Sequence, residues 1–190
     1  MRLIIVRHGE TIDNIKKVFR GQGDGQLSER GIEQAKKVGI RFKDKKIDKV
    51  YSSDSKRAID TTKEILKYHP DLKLNLDKRL RERSFGKLEG KPWPKNWDWN
   101  NFPDFVETDK ALCERAKEFL DDTCQKNRNK TVLIVCHGGI KNAFITIIHN
   151  KSYLEFRSWE WTKNTGVSEF EIKEDGNHKI HFLNCIKHLA

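Results

Sequence analysis

Long apolar stretches are missing from this chain, and no run approaches the roughly 20 residues that a membrane-spanning helix needs. No signal-peptide pattern precedes the first strand-like run, Arg2–Val6, so a cytoplasmic protein with no membrane partner is expected. Cysteine is scarce. Cys113, Cys124, Cys136 and Cys185 show no Cys-x-x-Cys spacing, which excludes a disulfide framework and leaves free thiols in a reducing compartment. Cys and His residues do not cluster at ligand spacing either, so no zinc site is expected. Cys136 stands beside His137, but alternation along a strand turns neighbours to opposite faces, and packing is its expected role. Repeats and low-complexity tracts are also absent.

What is present is a mixed, charged composition. The 190 residues are 36% hydrophobic and 35% charged, with ten Phe and five Trp. That is enough for one domain, 1–190, to bury a core without staples. The formal charge is +10. Its lysines are dispersed among acids, as in Lys43-Asp-Lys-Lys-Ile-Asp-Lys49, which reads as solvated surface. No basic stripe or reader motif points to nucleic acid, whereas an anionic small molecule gains from such a field. Nothing in the pattern separates a monomer from a homodimer.

Arg2–Val6 reads as a buried strand ending before a glycine. Ser28 is expected to cap a helix with Ile32, Ala35, Val38, Gly39 and Phe42 near helical spacing. Ile47–Ser53 follows as a strand, then a helix from Asp54 or Ser55 to Lys67 with Ala58, Ile59, Thr62, Ile65 and Leu66 inward. His69-Pro70 stops it, and the alternation of Leu72–Leu76 predicts an edge strand. Residues 79–109 look irregular, but Trp93, Trp97, Trp99, Phe102 and Phe105 argue against disorder; they read as ordinary packing or, the favoured reading, as the wall of a substrate lid. A helix is predicted over Lys110–Lys126, a strand over Thr131–Cys136 and a helix over Ile140–His149. Gly166–Ile172 and Lys179–Leu183 are expected to close a hairpin across Asp175-Gly176. Strands alternating with helices predict a three-layer α/β/α sandwich with a mostly parallel sheet.

Ligands of such sheets bind beyond the carboxyl ends of the strands. Three groups meet that condition: Arg7-His8-Gly9 after the first strand, Ser52-Ser53 with Arg57 after the second, and His137-Gly138 after the fourth. Two histidines and two arginines converging on one edge suit a dianionic phosphate, and helix N-termini there add donors. Taken singly, each has a plain alternative as a packed histidine or a surface ion-pair partner.

The segment Ile5-Val-Arg-His-Gly-Glu-Thr11 resembles the signature of the histidine phosphatase superfamily, also called phosphoglycerate mutase-like. The blocks Gln26-Leu-Ser-Glu-Arg-Gly31, Val50-Tyr-Ser-Ser-Asp-Ser-Lys-Arg-Ala58, Leu80-Arg-Glu-Arg-Ser-Phe-Gly-Lys-Leu-Glu-Gly90 and Val135-Cys-His-Gly-Gly139 continue the likeness in order. The resemblance implies a phosphomonoester hydrolase with His8 as transient phosphoryl acceptor. Its chemistry needs one neutral ring nitrogen for attack and the other held by a backbone acceptor. Arg7, Arg57 and His137 are then expected to clamp the phosphoryl oxygens, with no metal and no cofactor. Glu82 matches the acid that protonates the leaving alkoxide. Asn14 and the Gly138 N–H are expected to complete the cradle, and Gln22 or Gln26 to touch substrate, although an exposed polar loop explains those two glutamines equally well.

Mutases of this family carry a long insertion where Lys91–Phe105 stands, and usually a Tyr where Phe85 stands, so hydrolysis is expected over mutase activity. Arg20-Gly-Gln-Gly-Asp24 and Glu82–Gly90 resemble the fructose-2,6-bisphosphatase-like branch. α-Ribazole phosphatase, phosphoserine phosphatase and broad-specificity enzymes remain equally compatible. A non-catalytic phosphate-binding scaffold is the reading from another class. It is weakened by the presence of Arg7, His8, Arg57, Glu82 and His137 together.

Overall fold

In the computed structural model, which describes all 190 residues, β1 (Arg2–Arg7) and β4 (Thr131–Cys136) are buried along nearly their whole length. Both are apolar on every face because helices cover both sides of the sheet. They pair in parallel, Arg2 opposite Thr131 and Arg7 opposite Cys136, which brings the two strand ends level. β2 (Lys49–Ser52) joins β4 in parallel, and β3 (Leu74–Leu76) joins β2 as the expected edge strand. On the other side β5 (Val167–Glu171) runs antiparallel to β1, and β6 (Lys179–Cys185) antiparallel to β5. The sheet order is β3-β2-β4-β1-β5-β6.

Alternation along β1 divides the core. Leu3 and Ile5 face α4 (Asp109–Lys126) and α5 (Gly138–Ile148), packing with Phe119, Ile134 and Phe144. Ile4 and Val6 face α2 (Glu29–Phe42) and α3 (Lys56–Leu66), packing with Val38, Phe42, Ile65 and Val135. The result is the expected three layers, with a sheet that is parallel in its centre and antiparallel at one edge.

Several local expectations hold. Ser28 caps α2, its Oγ accepting from Gly31 N at 3.0 Å. Cys136 packs in the core, where burial pushes its thiol up to about 12. Others are corrected. Ile32 is 41% exposed, because the inward stripe of α2 runs through Gly31 and Gln34 instead. Gly31 lies against the Glu10 backbone, and Gln34 Oε1 accepts from Glu10 N at 2.8 Å, so tertiary contact sets the helix phase. Ile59 and Leu66 are only half-buried. Ser55 stands at the N-cap of α3 without a side-chain cap bond, while Asp54 is taken by Arg81 at 2.6 and 2.7 Å. A short helix, α1 (Ile12–Lys16), went unread. Its capping box uses Thr11 and Asn14.

Residues 79–109 contain two 3₁₀ turns and are otherwise irregular. Their aromatics gather on Phe19, Phe85 and Val106, with Trp93, Trp97, Trp99 and Phe102 packed against them. This third cluster stands over the carboxyl ends of β1 and β4, where the cavity lies.

Candidate active site

β1 ends in Arg7 and delivers His8 at the floor of a cavity of about 460 Å³. His8 is 3% exposed, and its Nδ1 lies 2.7 Å from the Gly9 carbonyl. A carbonyl only accepts, so Nδ1 carries the proton and Nε2 keeps a bare lone pair. Burial, and then the neighbouring Arg57 and Arg7, hold the His8 pKa well below the usual histidine value. The ring is therefore neutral at physiological pH, in the tautomer that a nucleophile needs.

Two guanidinium groups flank it. Arg7 Nη1 donates to the Thr162 carbonyl, while its buried Nε has no protein partner. Arg57 Nη1 and Nη2 donate to the Gly23 and Gly21 carbonyls at 2.7 Å each. Burial lowers the Arg57 pKa to about 10, which leaves it charged at neutral pH. The carbonyl bonds orient both groups without cancelling their charge, so the floor is strongly electropositive.

His137 caps α5 behind this floor and is absent from the cavity wall. Its Nδ1 accepts from Arg57 Nε at 3.2 Å, which requires Nε2 to carry the proton and donate to Ser53 Oγ at 2.8 Å. Its ring meets that of His8 edge-on with centroids 5.0 Å apart. In place of the direct clamp expected of it, His137 meets Arg57 through one ring nitrogen and Ser53 through the other.

Glu82 lies on the cavity wall across from these cations. Its carboxylate accepts from Arg83 N at 2.8 Å and from Gly139 N at 3.0 and 3.1 Å. The first turn of α5 therefore holds it, with the helix dipole favourable to negative charge. Arg115 fixes the backbone underneath, donating to the carbonyls of Arg79, Arg81 and Glu82 at 2.6, 2.7 and 3.0 Å.

Asn14 lies on the wall as expected, its Oδ1 accepting from Thr11 N at 3.1 Å and from Asn164 Nδ2 at 3.3 Å. That leaves its amide hydrogens as the donors it can offer. Three candidates fall elsewhere. Gln22 sits under the Glu82 segment, donating to the Glu82 carbonyl at 3.3 Å, and Gln26 is exposed; neither lines the cavity. Gly138 packs against Thr162, Trp161 and Arg7, and Gly139 takes its place on the wall. In each case the fold around the loop, rather than the motif, decides which atom faces inward.

Sequence reasoning missed the wall opposite the lid. Arg157, Trp159 and Trp161 line it, and Trp161 lies 5.8 Å from the Arg7 guanidinium. It also missed Arg20, paired with Asp13 at 2.5 Å, and Asn142, whose buried Oδ1 has no partner. Arg157, Trp159, Trp161 and Asn142 fall in none of the quoted motifs, and Arg20 stands in one only as a branch likeness. Of the five aromatics in the irregular segment, Trp93, Trp99 and Phe102 line the cavity, Trp97 packs among them without reaching it, and Phe105 is exposed.

Comparison with known proteins adds a lineage to this geometry. A model of the histidine phosphatase superfamily (branch 1) matches residues 3–185. A Schizosaccharomyces pombe protein named as a probable phosphatase is 31% identical over 201 residues, taking in 100% of this chain and 95% of the relative. Fructose-2,6-bisphosphatase TIGAR of Bos taurus is 40% identical over 136 residues, but these cover 65% of this chain and 50% of that protein. Phosphoserine phosphatase from Entamoeba histolytica, solved in complex with 3-phosphoglyceric acid, superposes with a TM-score of 0.86 at 28% identity, covering 100% of this chain and 99% of the other.

Proposed function

The chain belongs to branch 1 of the histidine phosphatase superfamily, and we propose that it hydrolyses phosphomonoesters of small metabolites through a phosphohistidine on His8. The observation that carries this reading is the Nδ1–Gly9 carbonyl bond, which leaves a neutral Nε2 lone pair between two arginines.

In the first half-reaction the His8 Nε2 lone pair forms the N–P bond. The ester P–O bond breaks, its electron pair leaving on the alkoxide oxygen. Arg7 Nε and the free Arg57 N–H groups hold the phosphoryl oxygens, where positioned donors of this kind are worth about 10²–10³ each in rate. His137 keeps Arg57 in place. Glu82, which this step requires in its protonated form, gives its proton to the departing oxygen, a role worth about 10²–10⁴. In the second half-reaction water attacks phosphorus, Glu82 takes its proton, and the N–P electron pair returns to His8 as orthophosphate leaves. Asn14 adds neutral donors at the rim. Hydrolysis is favoured over mutase transfer by the short Lys91–Phe105 segment that stands where mutases carry a longer insertion.

The test is turnover of p-nitrophenyl phosphate in excess EDTA. The proposal expects hydrolysis at an undiminished rate, because arginines supply the positive charge. Loss of activity with chelator, restored by added Mg²⁺ or Zn²⁺, contradicts it.

A further inference from the structure

We infer that the alcohol side of the cavity is built for a flat, apolar group, so that the preferred substrate is an aromatic ester carrying a single phosphate. The inference takes its phosphate end from the phosphatase reading above and its other end from the wall.

Above the arginine floor the wall is formed by Phe19, Phe85, Trp93, Trp99, Phe102 and Trp161. Their rings brace one another: Phe19 and Phe85 have centroids 5.0 Å apart, as do Trp93 and Trp99. Trp99 reaches across to Trp161 at 6.0 Å, joining the lid segment to the opposite wall. Arg157 latches the same junction, donating to the Trp99 carbonyl at 2.6 Å and lying 5.0 Å over the Phe102 ring. Ring faces held in place this way favour a planar guest, which gains offset or edge-on contacts beyond its buried area.

The cations of the wall point to the same conclusion. Arg20 is paired with Asp13, and Arg83 with Asp109 and the Glu107 carbonyl. Arg157 is paired with Asp109 at 2.7 Å. A second phosphate dianion carries two negative charges, whereas Arg83 and Arg157 share the single Asp109 carboxylate and leave this wall one positive charge to set against them. A hexose fares little better. Its hydroxyls circle the ring and each needs a partner on leaving water. Asn100 and Asn142 are the amide side chains available along the upper wall. Burying a phenyl-sized group, in contrast, is worth roughly ten- to a hundredfold in affinity.

The decisive experiment measures binding of non-hydrolysable phosphonates to the full chain by calorimetry. Ethylphosphonate, 2-phenylethylphosphonate and butane-1,4-bisphosphonate share the phosphate end and differ in the rest. The expected order puts 2-phenylethylphosphonate about ten- to a hundredfold tighter than ethylphosphonate, with the bisphosphonate no tighter than ethylphosphonate. Trp99→Ala and Phe102→Leu are expected to shrink the phenyl advantage severalfold. Should either variant fail to fold, the wild-type ratio decides alone. Equal affinity for the ethyl and phenylethyl compounds, or tightest binding of the bisphosphonate, overturns the inference. Turnover of 2-phenylethyl phosphate against ethyl phosphate, alcohols of similar leaving ability, is measured in parallel. A phenyl preference in binding with no turnover of any ester sinks the phosphatase reading alone. Turnover without a phenyl preference sinks only the substrate class.

Discussion

A histidine attacks phosphorus only while one ring nitrogen is neutral, unbonded and aimed, and His8 meets these terms through a single backbone carbonyl. The division of labour around it is equally local. Arg7 and Arg57 supply charge, His137 holds Arg57, and Glu82 is positioned by two backbone N–H groups. Glu82→Gln separates proton delivery from phosphate binding. If Glu82 protonates the leaving oxygen, alkyl phosphates lose about 10²–10⁴ in rate, while p-nitrophenyl phosphate loses less than about tenfold, because nitrophenolate departs without a proton. Arg7→Ala is the contrast and is expected to slow both esters together. Equal losses for both esters in Glu82→Gln would assign Glu82 to orienting the cradle instead.

At the scale of elements, the strands were legible because their signal is local. Leu3-Ile-Ile-Val6 and Val132-Leu-Ile-Val135 are apolar on both faces, which fits only the centre of a covered sheet. The positions of His8 and His137 were legible for the same reason, each standing one step past its strand, with Arg7 the last residue of β1. Gln22 and Gly138 were misplaced because loop side chains take their direction from contacts the local sequence does not encode, Glu82 for one and Arg7 for the other. The phase of α2 slipped likewise, since Gly31 is inward for a backbone that approaches it from residue 10. Gly39 shows how such contacts set stability. A Cβ there meets the Glu64 carbonyl of α3 at 2.6 Å. Alanine gains about 1 kcal/mol of helix propensity, but overpacking against backbone costs about 1–3 kcal/mol. Gly39→Ala is therefore expected to lower the urea midpoint while leaving aryl phosphate turnover unchanged, since α2 and α3 meet away from the cavity. An unchanged or raised midpoint contradicts that packing account.

For the whole molecule, placing His8 and His137 in a buried cationic floor has a cost that depends on pH. Burial, with Arg57 close by, holds both well below their usual value near 6.5. Below about 6.5 the unfolded chain binds protons that the folded one refuses, so stability falls as pH drops toward the folded values. Lys141, buried and donating to the Gly166 carbonyl at 2.6 Å, acts with the same sign in a higher window, its pKa pulled from 10.5 to about 7 by burial. The urea midpoint is therefore expected to fall between pH 7.5 and pH 5, and less steeply in His8→Ala than in the wild type. Identical slopes for the two proteins would mean that His8 takes up its proton without resistance and is not held neutral. The cavity that incurs this cost also joins all three layers, with floor from β1 and α3, Glu82 held by α5 and an aromatic wall from residues 79–109. The account stands or falls on which atom carries the phosphoryl group between the two half-reactions. Rapid quenching of the wild-type chain with a ³²P-labelled phosphomonoester, followed by peptide mapping, measures this most directly. It predicts acid-labile, base-stable label on the peptide containing His8, and none in His8→Ala. Label on any other residue, or full turnover by His8→Ala, contradicts it.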